Sequence, residues 1–92
     1  SDLTQDYGEG EKWIRQAAEQ NHAEAQHRLG IIYRDGLGVE QDYVEAYHWL
    51  TLSANQDHEP ALQEREDLTY KMHADQITDA QQRANEWEEK QD

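Results

Sequence analysis

Cysteine is absent from the 92-residue chain, so disulfides and thiolate chemistry are excluded, while a reducing and an oxidising compartment both remain open. Long apolar runs are absent too. Nothing approaches the roughly 18–20 residues of a membrane span, and the opening SDLTQDYGEG has neither the basic start nor the apolar stretch of a secretory signal. The expectation is a soluble protein without membrane insertion, with a cytoplasmic location favoured over a periplasmic one and the compartment left open. Basic residues are scarce: 8 Lys and Arg against 21 Asp and Glu give a formal charge of −13. Nucleic acid and anionic membranes need the opposite sign, so the balance points to a protein partner with a basic surface. A chain this short and polar makes one domain, and its core is marginal unless its apolar residues are placed efficiently.

What the chain does have is a phrase written twice. DYGEGEKWIRQAAEQNHAEAQ runs from Asp6, and DYVEAYHWLTLSANQDHEPAL from Asp42. At an offset of 36, Gln5, Asp6, Tyr7, Glu9, Trp13, Ala18, Gln20, His22 and Ala25 meet identical residues at Gln41, Asp42, Tyr43, Glu45, Trp49, Ala54, Gln56, His58 and Ala61. A period of this length marks an array whose units bury apolar faces against their neighbours. Within a unit the spacing is helical. Ala46, Trp49, Leu50 and Ala54 share one face, as do Ala25, Leu29, Ile32 and Tyr33. Each unit is therefore expected to be a pair of antiparallel helices, with Trp13 and Trp49 as packing residues in equivalent environments.

Punctuation supports helices at about 6–19, 22–34, 42–55, 58–71 and 75–90. Asp6 with Glu9, Asn21 with Glu24, and Asp42 with Glu45 have cap-plus-acid spacing, and Asp57 can cap a helix that accepts Pro60 in its first turn. In RDGLGVEQ, Gly36 can take the left-handed conformation that ends a helix, and Gly38 keeps the turn compact. Gly30 sits inside a helical pattern at a cost of about 1 kcal/mol relative to Ala, so a closely approaching helix is expected there.

The run from Ala23 to Gln56 resembles a Sel-1-like repeat, a relative of the tetratricopeptide repeat. The matching pattern is Ala25-Gln26, Leu29-Gly30, Ile32-Tyr33, Gly36, Gly38-Val39, Asp42, Ala46, Trp49 and Ala54. Residues 3–20 resemble the second helix of an earlier repeat lacking its first, which raises the expectation of a fragment of a longer array. After Pro60 the match decays, because Arg65 and Glu66 stand where Leu29 and Gly30 stood. Ile77, Ala80, Ala84 and Trp87 then form the stripe of a closing helix. The resemblance implies an all-α fold, antiparallel helix pairs stacked as a short α-solenoid with a C-terminal capping helix. Its divisions are a half repeat at 3–20, a full repeat at 21–56, a degenerate repeat at 57–72 and a capping helix at 73–92. It also implies a concave surface, lined by the first helix of each pair, that holds another protein.

Candidate chemistry reads blandly. His22, His27, His48, His58 and His73 show no metal-ligand spacing, and HEPAL at His58 lacks the second histidine of the HExxH zinc helix, so no metal is expected. Glu64, Glu66 and Asp67 read as a solvated face rather than an acid/base set. Gly36 and Gly38 lack the Gly and Lys of a phosphate loop. With no nucleophile–base constellation, no catalytic residue and no cofactor are expected, and an enzyme is the least favoured class.

Function is expected from the face left after packing. On the second helix that face carries His27, Arg28, Ile31 and Arg34, and the 36-residue offset sets Gln63, Glu64 and Asp67 beside them. Such a mixed strip suits a protein surface or an extended peptide. The leading expectation is a non-catalytic interaction module or adaptor. The alternative is a small acidic inhibitor or immunity-type protein that neutralises a basic enzyme or toxin. The sequence leaves the oligomeric state open.

Overall fold

The computed structural model of the chain describes residues 12–91. Helix α1 occupies 12–19 of these, followed by α2 (Ala23–Asp35), α3 (Tyr43–Ala54), α4 (Glu59–Thr69) and α5 (Ala74–Lys90). No strand occurs among the described residues. The helix start expected at Asp6 lies outside them.

Local chemistry accounts for several boundaries. The Asp42 side chain accepts the Glu45 N–H (3.1 Å) and caps α3. Gly36 ends α2 at φ 68°, with Leu37 N–H reaching back to the Ile32 carbonyl (3.0 Å). Two expected caps are displaced. Asn21 and Asp57 precede α2 and α4 at φ 71° and 65°, the left-handed conformation that turns the chain out of the preceding helix. The N-cap positions fall to His22 and His58, whose side chains make no cap bond. Asn and Asp tolerate left-handed backbone better than other side chains, which is why residues one repeat apart both terminate a helix instead of starting one.

Helix α3 is the centre. Its residues 46–53 are all buried, as a helix covered on every side requires, and it packs against α2, α4 and α5. One side gathers Ala46, Tyr47 and Leu50 with Ala61 and Leu68 of α4 and Ala80 of α5. The other gathers Trp49 and Leu52 with Ala18 of α1, Leu29 of α2 and Ala84 of α5. The α5 stripe thus serves both clusters, with Ile77 against the first and Trp87 against the second.

At Gly30, α2 comes too close to α3 for a side chain. A β-carbon there would stand 2.7 Å from Leu50 Cγ, 2.8 Å from Leu50 Cδ2 and 3.2 Å from the Ala46 carbonyl oxygen. Glycine is required by space.

Of the buried polar side chains among the described residues, Gln26 and Ser53 are hydrogen-bonded, while His48 Nδ1 and Thr51 Oγ1 are not. Gln26, fully buried, donates from Nε2 to the Ala18 carbonyl (3.1 Å) and the Asn21 side chain (3.2 Å), and its Oε1 accepts from Gln56 (2.8 Å). The Ser53 hydroxyl donates to the Ala23 carbonyl (2.7 Å). These bonds tie the α1–α2 turn to α3 and its C-terminal turn, where an unpaired amide would cost about 1–3 kcal/mol.

The expected equivalence of Trp13 and Trp49 fails. Trp49 is 3% exposed, but Trp13 is 72% exposed. Trp49 owes its burial to a covering helix: Trp87 of α5 meets it edge-on at a centroid distance of 6.1 Å. Thirty-six positions before Trp87 stands Thr51, so the covering aromatic is not repeated along with the covered one.

Candidate protein-interaction site

Helices α2 and α4 both pack on α3, and charged side chains join them. Glu64 of α4 bonds the His27 ring through one carboxylate oxygen and accepts from Arg34 Nη1 through the other (3.3 Å). His58, at the start of α4, completes the group with Nε2 3.2 Å from His27 Nδ1. Arg34 also pairs with the adjacent Asp35 (2.9 Å). That hydrogen bond holds the Arg34 guanidinium above its ordinary range and the Asp35 carboxyl below its own. The residues expected as a free strip therefore divide. His27, Arg34 and Glu64 are half-buried and engaged with one another, which corrects their reading as projecting side chains. Glu64 belongs to this bridge and not to a solvated face.

The remaining expected residues face outward to different degrees. Arg28 is exposed and pairs one turn back with Glu24 (3.1 Å). Ile31 is half-buried, so it offers an edge rather than a free side chain. Gln63 and Asp67 are exposed on α4. There they line an open groove of about 360 Å³ together with Glu59, Leu62, Glu66 and Tyr70. Leu62 is 38% and Tyr70 90% exposed. Sequence reasoning passed over both apolar members. Their signal was present, because positions 59, 62, 63, 66 and 70 follow helical spacing on the face opposite the buried Ala61 and Leu68.

Among the described residues no group of three or more His, Asp or Glu is arranged to hold a metal ion, and His27 spends both ring nitrogens on Glu64 and His58. His48 is a separate case. It lies buried in α3 beside the Trp49 ring (4.8 Å), with Nδ1 unpaired. Burial pushes its pKa below the ordinary histidine range, and Glu45 opposes that shift while Arg83 adds to it. Among the described residues no helix is long and apolar enough to cross a membrane.

Against this geometry the comparisons are consistent. The sequence model of the Sel1 repeat family matches residues 1–22 and 23–58. The chain is similar to the crystal structure of c5321, described as a protective antigen present in uropathogenic Escherichia coli strains displaying an SLR fold. The TM-score is 0.83 and the identity 37%, over 96% of this chain and 18% of that one. The chain thus spans under a fifth of the length of that relative. No curated protein matches it.

Proposed function

The chain belongs to the Sel1 repeat family, whose repeats generally mediate protein–protein interaction, and from that premise we propose that it is a non-catalytic module or adaptor holding a protein partner on the outer face of α2 and α4. One observation carries this reading. Glu64 joins the two helices through His27 and Arg34, which supports a fixed relation between Arg28 and Ile31 of α2 and Gln63 and Asp67 of α4. A preorganised surface of this kind loses little entropy on binding. With a formal charge of −13, the complementary partner surface is basic, and association slows as salt rises.

The test is affinity capture followed by mass spectrometry at low and high salt, then titration of the recovered partner. Ile31→Asp is expected to weaken the complex at least about fivefold, the threshold of a significant interface residue, while the thermal melt stays near that of the wild type. An unchanged dissociation constant would remove Ile31 and its face from the interface. A collapsed melt would place Ile31 in the core instead.

A further inference from the structure

Among the described tyrosines, Tyr43 and Tyr70 have no cation over the ring, and Tyr70 is the exposed one of the two. Two tyrosines carry an arginine over the ring: Arg15 lies 5.5 Å from the Tyr33 centroid and Arg65 5.7 Å from that of Tyr47. Tyr70 carries no such cation among the described residues, and it is 90% exposed at the end of α4. Around it the groove supplies Glu59, Glu66 and Asp67. No ion pair among the described residues engages these three carboxylates, whereas Glu64, one turn away, is occupied by His27 and Arg34. The neighbouring cation Lys71 lines an adjoining groove with Arg34, Asp35 and Asp67, where its charge acts on the Asp35 carboxyl. Of these two grooves Asp67 borders both, while Glu59 and Glu66 border only the first. At the other end stands Leu62, eight residues or about 12 Å along the helix from Tyr70.

We infer that this groove is a docking site for an arginine-bearing segment of a partner protein, with the guanidinium over the Tyr70 ring and beside the Glu66 and Asp67 carboxylates, and an apolar side chain of the same segment against Leu62. The assignment rests on the interaction-module reading above and names the chemistry of the partner. Charge sign selects a cation. The combination of an aromatic face with carboxylates favours arginine over lysine, because a planar guanidinium stacks flat on a ring while its edge donates bidentately to carboxylates, whereas an ammonium is a compact, strongly hydrated point charge. Leu62 asks for an apolar neighbour on the same segment, which excludes a free cation as the occupant. The carboxylates repel a nucleic-acid backbone or an anionic lipid surface.

The probe is a short synthetic peptide carrying arginines between leucines, labelled for fluorescence anisotropy and titrated with the full chain, beside a lysine-for-arginine peptide of the same length. The arginine peptide is expected to bind with an affinity that falls as salt rises, and the lysine peptide more weakly. Tyr70→Ala should weaken arginine-peptide binding by roughly two- to fivefold, the range of an exposed cation–π contact. The pair Glu66→Gln with Asp67→Asn should weaken it by roughly three- to tenfold, as for exposed charge pairs. All three substitutions are at exposed positions, so circular dichroism melts should not move. Failure of the arginine peptide to bind overturns the assignment. So does equal binding of the two peptides with Tyr70→Ala silent, which would leave bulk charge alone. If only Ile31→Asp abolishes peptide binding, the groove is wrong and the α2–α4 reading stands. If the peptide responds to Tyr70→Ala while the captured partner ignores Ile31→Asp, the groove stands and the Ile31 contact falls.

Discussion

Replacing Gly30 by alanine adds one methyl group at a tight contact between α2 and α3, where two physical effects oppose each other. Helix propensity favours the change by about 1 kcal/mol. Packing opposes it, because the new carbon would lie 2.7 Å from Leu50 Cγ and 3.2 Å from the Ala46 carbonyl oxygen. Neither neighbour yields easily. Leu50 is fully buried, its Cγ is a branch point rather than a flexible tip, and the carbonyl belongs to the α3 backbone. Overpacking of this kind costs about 1–3 kcal/mol, so a net loss of about 1 kcal/mol is expected, with Gly30→Leu worse. For a domain of this size that corresponds to a fall in Tm of about 4–8 °C, read by circular dichroism and checked by urea titration. A double-mutant cycle isolates the cause. Leu50→Ala alone should cost about 2–5 kcal/mol, and in that background Gly30→Ala should become stabilising, because the atoms it meets first are gone. A single variant that melts at or above the wild-type temperature, or a cycle without that reversal of sign, refutes the close-packing argument.

Two further outcomes follow from burial. Trp49→Ala should cost about 3–5 kcal/mol, while Trp13→Ala, exposed at the repeat-equivalent position, should stay within about 0.5 kcal/mol; similar losses measured by urea denaturation would contradict the structure. His48 should make stability depend on pH. Burial lowers its pKa below the 6.5 of an unperturbed histidine, so the unfolded chain binds the proton first as pH falls; this contribution is complete above about pH 6.5 and is lost as pH drops toward the folded value. Melts across pH 5–7 should therefore show a steeper loss for wild type than for His48→Gln, and parallel profiles would refute the assignment.

Much of the fold was legible in one dimension because its causes are local. A helix start at Asp42, a stop at Gly36 and apolar spacing along α2, α3 and α5 involve residues no more than a few turns apart, and the 36-residue identity shows that the pairs repeat. Even Gly30 could be recognised, since a glycine inside a good helical pattern implies a compensating neighbour. The sequence could not name that neighbour as Leu50. The site was less legible for the same reason. His27, Arg34 and Glu64 are visible in the sequence only as residues off the apolar stripes, whereas their mutual pairing spans 30 to 37 positions and turns them toward each other. Leu62 and Tyr70 were lost among acidic neighbours until the backbone placed them in one groove.

Sequence alone thus determined the helices, their pairing as a repeat and the acidic balance, which follow from periodicity, capping chemistry and charge count, and the resemblance of residues 23–56 to a known repeat pointed to the family. Tertiary structure decided the environments. Trp13 and Trp49 occupy the same place in the repeated phrase, yet one is exposed and the other enclosed, because burial belongs to whatever packs on top and Trp87 covers only one of them. Asn21 and Asp57 likewise became helix ends instead of caps once the turn between packed helices demanded left-handed backbone. A repeat copies a residue's position along its helix; the helix lying across it sets what that residue can do.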